Sequence, residues 1–228
     1  GKPEPAVMIE AVCHAVPDLR VRLGSLEPRI VTENFCRKMK ELPNLCPQFH
    51  LSLQSGCDRT LNRMRRRYNT DMYREVVKNI REFFPNGGLT TDIIVGFPGE
   101  TDEDFEESCR FVEEMEFAKV HVFPYSRRSG TVADKMPDQF TKSVKDERAA
   151  LMIKATEEKR KEFLTSQVGK RVEVLFEQLN SDGLFEGYTK NYTLVCVDSK
   201  NQDLSGKYMD VLITDVGNDG CMGVLSDN

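Results

Sequence analysis

The stretch Thr90–Thr101, T-T-D-I-I-V-G-F-P-G-E-T, constrains the fold more than any other part of the chain. Ile93, Ile94 and Val95 read as a buried strand, Gly96 and Gly99 break it, and Thr101 is placed to cap a helix. Glycine permits a tight turn and lets a ligand approach the backbone. Strand, glycine turn and helix is how α/β sheets hold ligands at the carboxyl ends of their strands. Taken alone, the pattern also fits a plain tight connection, so the neighbouring segments decide.

Those neighbours repeat the unit. Ala6–Ala15 is apolar enough for a short helix, and Leu19–Gly24 reads as a strand with Ser25–Pro28 as the loop at its carboxyl end. Thr32 can cap a helix bearing Phe35, Met39 and Leu42. Phe49–Leu53 is the next strand, followed by Gln54-Ser55-Gly56. Asp58 is placed to cap a short helix that closes in a basic run, Arg63 to Arg67. Thr70 or Asp71 caps another, with Tyr73, Val76, Val77, Ile80 and Phe84 as its apolar stripe. After Thr101, acidic residues fill the first helical turn, and Lys119–Phe123 forms a further strand. Strands and helices alternating every roughly 30 to 40 residues predict βα units on a parallel sheet. Four such strands are too few to close a barrel, so the sheet is open or belongs to a larger barrel.

The pattern changes toward the carboxyl terminus. Val144–Gln167 reads as a long charged helix anchored by Leu151, Ile153, Ala155 and Phe163. Beyond Gly169, short strands separated by Asn, Asp and Gly turns predict a small antiparallel β-barrel. The expected division is 1–143 for the α/β part, 144–168 for the connecting helix and 169–228 for the barrel.

Composition narrows the class. The net charge of −5 argues against a generally sticky nucleic-acid binder, though not against a local basic patch. No run is long and apolar enough to span a bilayer, and no secretory leader is visible, so a cytoplasmic setting is expected. The seven cysteines are widely and irregularly spaced, with no CxxC pair, and read as small core residues rather than a disulfide framework or zinc site.

Polar residues at the strand ends are the candidates for chemistry. Gln54 and Ser55 offer an amide and a hydroxyl that could read a ribose or an amino-acid group, or could merely cap the helix after them. Guanidinium groups at Arg63, Arg65, Arg66 and Arg67 suit a carboxylate or a phosphate, against the reading of a solvated helix end. Asp92 stands inside an apolar strand and needs a partner, whether a ligand or a structural donor. Glu100 either enters the cleft or favours the next helix start, while His50 and His121 fit core histidines as well as catalytic ones. Glu27 stands in a strand-end loop. Tyr125–Thr131 is the densest polar loop, with Arg127 and Arg128 able to meet RNA phosphate. G-F-P-G-E-T is neither a P-loop nor a dinucleotide fingerprint.

Four stretches in order, F-H-L-S-L-Q-S-G-C-D, L-N-R-M-R-R-R-Y, T-T-D-I-I-V-G-F-P-G-E-T and H-V-F-P-Y-S-R-R-S-G-T-V-A, resemble the radical S-adenosylmethionine methylthiotransferases. Gly169–Leu225 resembles the TRAM module that follows the radical domain in that family. The resemblance implies a partial radical SAM (β/α) barrel followed by a TRAM barrel. It implies S-adenosylmethionine as cofactor, and two [4Fe–4S] clusters in the parent enzyme. By the same resemblance Ser52, Gln54, Ser55, Arg66, Asp92, Val95, Gly96, Phe123 and Pro124 line the cofactor site. Glu27, Arg127, Arg128 and Thr131 face the substrate.

The H-V-F-P-Y-S form is most similar to the members acting on N6-threonylcarbamoyladenosine beside the tRNA anticodon, where a methylthio group enters at carbon 2 of adenosine 37. Family members acting on isopentenyladenosine in tRNA or on a ribosomal-protein aspartate are alternatives, as is a catalytically idle RNA-binding scaffold. The implied partners are the tRNA anticodon region, a reductant and a sulfur source. The CxxxCxxC segment that holds the family's radical cluster is not in this sequence. The chain is therefore expected to be a carboxyl-terminal part of such an enzyme, inactive alone in reductive cleavage. From Gly169 onward acidic residues outnumber basic ones, which predicts modest RNA affinity for the terminal module alone, with Tyr188, Tyr192 and Tyr208 as stacking candidates or packing residues.

Overall fold

The computed structural model describes residues 4–200 and 202–226. Helix α1, Pro5–Ala15, leads in. Strand β1 is only Ser25–Leu26, and helix α2, Glu33–Lys40, follows with Thr32 as its cap. Then come β2 (Gln48–Leu51), α3 (Asp58–Arg63), α4 (Thr70–Phe83), β3 (Gly88–Val95), α5 (Asp102–Glu114) and β4 (Lys119–Pro124). The four strands form one parallel sheet in the order β1-β2-β3-β4. Register pairs Ser25 with His50, His50 with Thr90, and Asp92 with His121.

The alternation within the sheet explains its two faces. Phe49, Leu51, Leu53, Leu89, Ile93 and Val95 point toward the helices and are buried with Phe35, Met39, Tyr73, Val77 and Phe111. The opposite face carries Gln48, His50, Thr90, Asp92 and His121. That is a polar wall instead of a second apolar core.

The first strand is shorter and later than the sequence pattern suggests. Leu19–Gly24 alternates apolar and basic residues, yet it makes only one bridge, between Val21 and Leu45. Its Arg20 and Arg22 reach across to the terminal barrel instead of framing a sheet edge. Two helix starts also differ. Asn69, not Thr70 or Asp71, caps α4 by accepting from the Met72 N–H at 2.9 Å. Asp58 does not cap α3, whose cap position is Cys57. Its carboxylate accepts from the Thr70 N–H at 2.8 Å and so ties α3 to α4.

Helix α6, Lys142–Thr165, packs along β4 and α5 and then meets the barrel. Leu151 and Ile153 are not its anchors, for both are about half exposed. Arg148, Ala149 and Met152 are buried instead. Residues three and four apart share a helix face, whereas Leu151 and Ile153 each turn about 100° away from Met152.

The terminal unit comprises β5 (Arg171–Leu179), β6 (Phe185–Thr189), β7 (Leu194–Val197), β8 (Tyr208–Val216) and β9 (Cys221–Leu225). They close into a barrel in the order β5-β6-β7-β9-β8. Its pairings are antiparallel except β7 with β9, which run parallel. Val174, Phe176, Val195, Val197, Val211 and Ile213 fill the interior. The barrel sits at the amino-terminal ends of β2, β3 and β4. There Asn191 Nδ2 donates to the Asn86 carbonyl at 3.0 Å, and the Asn191 carbonyl leaves no room for a Cβ on Gly88.

Candidate cofactor cleft at the strand ends

The glycine turn after β3 is held from three sides. Gly96 adopts φ +66°, and a Cβ there would meet the Lys145 side chain. The Gly96 N–H donates to Glu100 Oε1 at 3.1 Å, and Arg148 Nη1 donates to the same oxygen at 2.8 Å. Glu100 is buried, so it supports the turn rather than entering the cleft. Burial pushes its carboxyl up, opposed by the Gly96 N–H and by the charge of Arg148. Lys145 Nζ donates to the Tyr125 carbonyl at 2.9 Å, which fastens the start of α6 over the turn. Neither Arg148 nor Lys145 stands out in the sequence, because both lie on a helix that reads as a solvated charge run.

Gln54 marks a wall of the neighbouring cleft. It is a non-glycine residue at φ 71°, held there by two backbone bonds to β3: its N–H to the Asp92 carbonyl and the Ile94 N–H to its own carbonyl, both at 2.9 Å. Such conformations persist only where the surroundings enforce them. Tyr68 steadies the approach by donating to the Ser52 carbonyl at 2.7 Å and the Leu53 carbonyl at 3.1 Å. Burial pushes its phenol up to about 12.

Beside Gln54 lies a cleft of about 430 Å³ lined by Gln54, Asp92, Ile94, Phe123, Pro124, Tyr125, Ser126, Arg128, Thr131 and Ala133. Six of the residues singled out in the sequence thus come together: Gln54, Asp92, Phe123, Pro124, Arg128 and Thr131. Phe123 is half exposed, an unusual state for a strand phenylalanine and one suited to a flat ligand. A second chamber of about 210 Å³ lies beyond Tyr125 and Ile94, and Arg63, Arg65 and Arg66 line it. The Tyr125 hydroxyl, on a residue shared by the two chambers, is buried without a hydrogen-bond partner among the described residues. Such a group calls for an unfilled partner, and a polar ligand supplies one.

The remaining candidates lie around this cleft, not in its lining. Ser55 is buried, and its hydroxyl accepts from the Cys57 N–H at 3.3 Å. Ser52 donates its N–H to the Leu26 carbonyl at 3.2 Å. Val95 is a core residue whose carbonyl accepts from the Tyr125 N–H at 2.8 Å, and Gly96 forms the turn. Arg127 is turned onto Asp134, with Nε on Oδ1 at 3.0 Å. Glu27 pairs with Arg29 at 2.5 Å. That hydrogen bond, aided by the charges of Arg29, Arg67 and Arg66, holds its carboxyl below the usual range.

His50 and His121 lie on the polar face below the cleft, with ring centroids 6.0 Å apart. Burial and the nearby Lys119 charge press His121 down toward the neutral form. Among the described residues, one group of potential metal ligands has its atoms close together: Cys57, Asp104 and Glu107. Arg59 and Arg63 already occupy both oxygens of Asp104, at 2.6 Å and 2.9 Å. The donor set suits an ion-pair network and does not fit an iron–sulfur cluster, which needs converging thiolates. Burial raises the thiols of Cys36, Cys109 and Cys221 to about 11, as expected of packing residues.

The tyrosines of the terminal barrel are engaged in the joint. Tyr192 stacks on Tyr188 with centroids 4.3 Å apart, and the Arg22 guanidinium lies 4.2 Å from the Tyr192 ring centre. Two groups so close must cover opposite faces of that ring. Arg20 lies 4.8 Å from the Tyr208 ring and donates to the Tyr188 and Glu173 carbonyls at 2.8 Å and 2.9 Å. Tyr192 and Tyr208 nonetheless each remain 42% exposed.

Comparison with known proteins agrees with this architecture. Residues 3–112 match the radical SAM superfamily and residues 165–220 match the TRAM domain. The threonylcarbamoyladenosine tRNA methylthiotransferase MtaB of Bacillus subtilis is 34% identical over 202 residues, covering 87% of this chain and 45% of that protein. The tRNA-2-methylthio-N(6)-dimethylallyladenosine synthase of Thermobifida fusca is 44% identical over 156 residues, covering 68% of this chain and 32% of that protein. The chain therefore spans less than half the length of these curated relatives. The radical SAM enzyme coproporphyrinogen III oxidase HemN of Escherichia coli superposes with a TM-score of 0.58 at 12% identity, over 91% of this chain and 51% of that one, which is a likeness of fold alone. The chain is a radical SAM protein with a TRAM domain. Within that class it belongs with the methylthiotransferases.

Proposed function

We propose that this chain is the cofactor-cleft and TRAM part of a tRNA methylthiotransferase that modifies carbon 2 of N6-threonylcarbamoyladenosine 37. The observation behind the reading is the convergence of Gln54, Asp92, Phe123, Pro124, Arg128 and Thr131 on one strand-end cleft. In this reading Gln54 and Asp92 take the polar groups of S-adenosylmethionine, Phe123 and Pro124 flank its flat base, and Arg66 in the adjoining chamber takes its carboxylate. Bound there, the cofactor supplies the radical chemistry of the superfamily. Arg128 and Thr131 at the rim, with Arg127 and Glu27 outside it, face the tRNA. The cluster-holding cysteines, the reductant and the sulfur source come from outside this chain, so the chain alone is inactive. We further take 1–143, 144–168 and 169–228 as its working divisions.

The choice of threonylcarbamoyladenosine rests on the similarity to the Bacillus subtilis protein running through 87% of the chain. The higher identity to the dimethylallyladenosine synthases, over 68% of the chain, supports that substrate as a second reading. The test is reconstitution of the full-length protein with iron and sulfide. S-adenosylmethionine, reductant and tRNAs bearing either adenosine derivative are then supplied. Methylthiolated threonylcarbamoyladenosine in the nucleoside digest is expected. A product formed only from the dimethylallyl tRNA would replace the first reading by the second.

A further inference from the structure

On the polar face of the sheet, hydrogen bonds run from the barrel joint to His50, whose ring stands against Asp92 at the cleft. A guanidinium only donates, so Arg22 Nη1, 3.1 Å from Gln48 Oε1, sets that atom as the amide oxygen. Gln48 Nε2 then faces Thr90 Oγ1 at 3.0 Å and must donate to it. The Thr90 hydroxyl, 2.9 Å from His50 Nδ1, keeps a proton to give and a second lone pair to accept with, so the other ring nitrogen decides the tautomer. A carboxylate oxygen only accepts, so His50 Nε2, 3.2 Å from Asp92 Oδ2, carries the proton, and the Thr90 hydroxyl donates to the bare Nδ1. Each donor and acceptor along the line is used in one consistent sense. The Arg22 end is clamped against the Tyr192 ring of the terminal barrel, and the Asp92 end opens into the cleft.

We propose that His50 is a positioning residue for Asp92. Its ring is held as the Nε2–H tautomer between Asp92 and the chain Arg22–Gln48–Thr90, so that docking of the terminal barrel on Arg22 helps to aim the cleft carboxylate. The consequence for ligand binding rests on the cofactor reading of the cleft. The tautomer does not. Metal-bound histidines are oriented in the same general way by a partner on the far ring nitrogen, and their carboxylate partners are positioned in turn.

Two measurements decide the matter. The first is the two-bond proton–nitrogen spectrum of the histidine-labelled chain, with His50 assigned by its loss in His50→Gln. A protonated Nε2 and bare Nδ1 are expected for the wild type, and a mixture of tautomers for Thr90→Val/Asp92→Ala, which lacks both partners. A wild-type Nδ1–H signal, or a Thr90→Val/Asp92→Ala spectrum identical to wild type, would overturn the proposal. The second is calorimetric binding of S-adenosylmethionine to the reconstituted full-length protein. His50→Phe is expected to weaken it by about tenfold, as for loss of a hydrogen bond to a charged group, and His50→Gln, which keeps an N–H donor, by much less. Equal affinity in wild type and His50→Phe would overturn the positioning role. No binding even to wild type would overturn the cofactor reading and the positioning role that rests on it, while the tautomer would still be decided by the spectrum.

Discussion

Arg148 donates to Glu100 Oε1 at 2.8 Å with both side chains almost wholly buried, 6% and 3% exposed. The pair holds the glycine turn that follows β3, because Glu100 also accepts from the Gly96 N–H at 3.1 Å. Arg148 further reaches Asp102 at 2.7 Å and lies 4.5 Å from the Phe140 ring centre. Helix α6 is thereby bolted to the glycine turn from outside the sheet.

Replacing Arg148 with Met keeps most of the side-chain volume but leaves the Glu100 carboxylate buried without its cation. A loss of about 3–5 kcal/mol is expected by urea unfolding at neutral pH. The double variant Arg148→Met/Glu100→Gln removes the stranded charge and is expected to recover part of that loss. A double variant worse than the sum of the singles would contradict this account.

Asp104 supplies an acid limb to the stability curve. Burial alone would raise its carboxyl, but donors from Arg63, the Thr101 N–H and Cys57, with the Arg59 charge, hold it below the usual range. A lowered folded value means that the carboxylate's stabilisation is complete above the unfolded value. It disappears as pH falls through the folded one. Asp104→Asn is therefore expected to cost about 2–4 kcal/mol at pH 7 and progressively less below about pH 4. Denaturant melts across that range check the sign.

Tyr68 ties the end of β2 to the cleft wall through the Ser52 and Leu53 carbonyls. Tyr68→Phe is expected to cost roughly 1 kcal/mol. The same change should remove one phenol that ionises near pH 12, read by ultraviolet absorbance on alkaline titration. A variant whose high-pH titration matches wild type would contradict the assignment.

Arg20 is the main polar strut between the α/β part and the barrel, with a side chain only 12% exposed. Arg20→Ala is expected to leave both units folded while hydrogen exchange accelerates in Glu186–Tyr188 and at Tyr208. Unchanged exchange at those amides would show that the joint does not depend on it.

The sheet was legible because βα units repeat a simple pattern, and the capping box at Thr101 and Asp104 fixes the start of α5 in sequence and structure alike. What was hidden depended on contacts between distant segments. Leu19–Gly24 alternates like a strand, but Arg20 and Arg22 are recruited by the barrel about 150 residues later. Leu151 and Ile153 look like anchors by hydrophobicity, whereas helical phase places Met152 inward. Within the cleft, residue type and strand position pointed to Gln54 and Asp92, while Phe123 came only through the family resemblance. They could not show that Ser55 turns inward to Cys57, or that Arg127 folds onto Asp134. The left-handed backbone of Gln54 has no sequence signal, since glutamine rarely adopts it.

The central claim is that the strand-end cleft holds S-adenosylmethionine. Its most direct measurement is calorimetric binding of that cofactor to the reconstituted full-length protein, wild type against Asp92→Ala. Saturable binding that weakens by at least about tenfold in the variant is predicted, as for loss of a charged hydrogen-bond partner. Equal affinity in the two proteins would place the cofactor elsewhere and contradict the account.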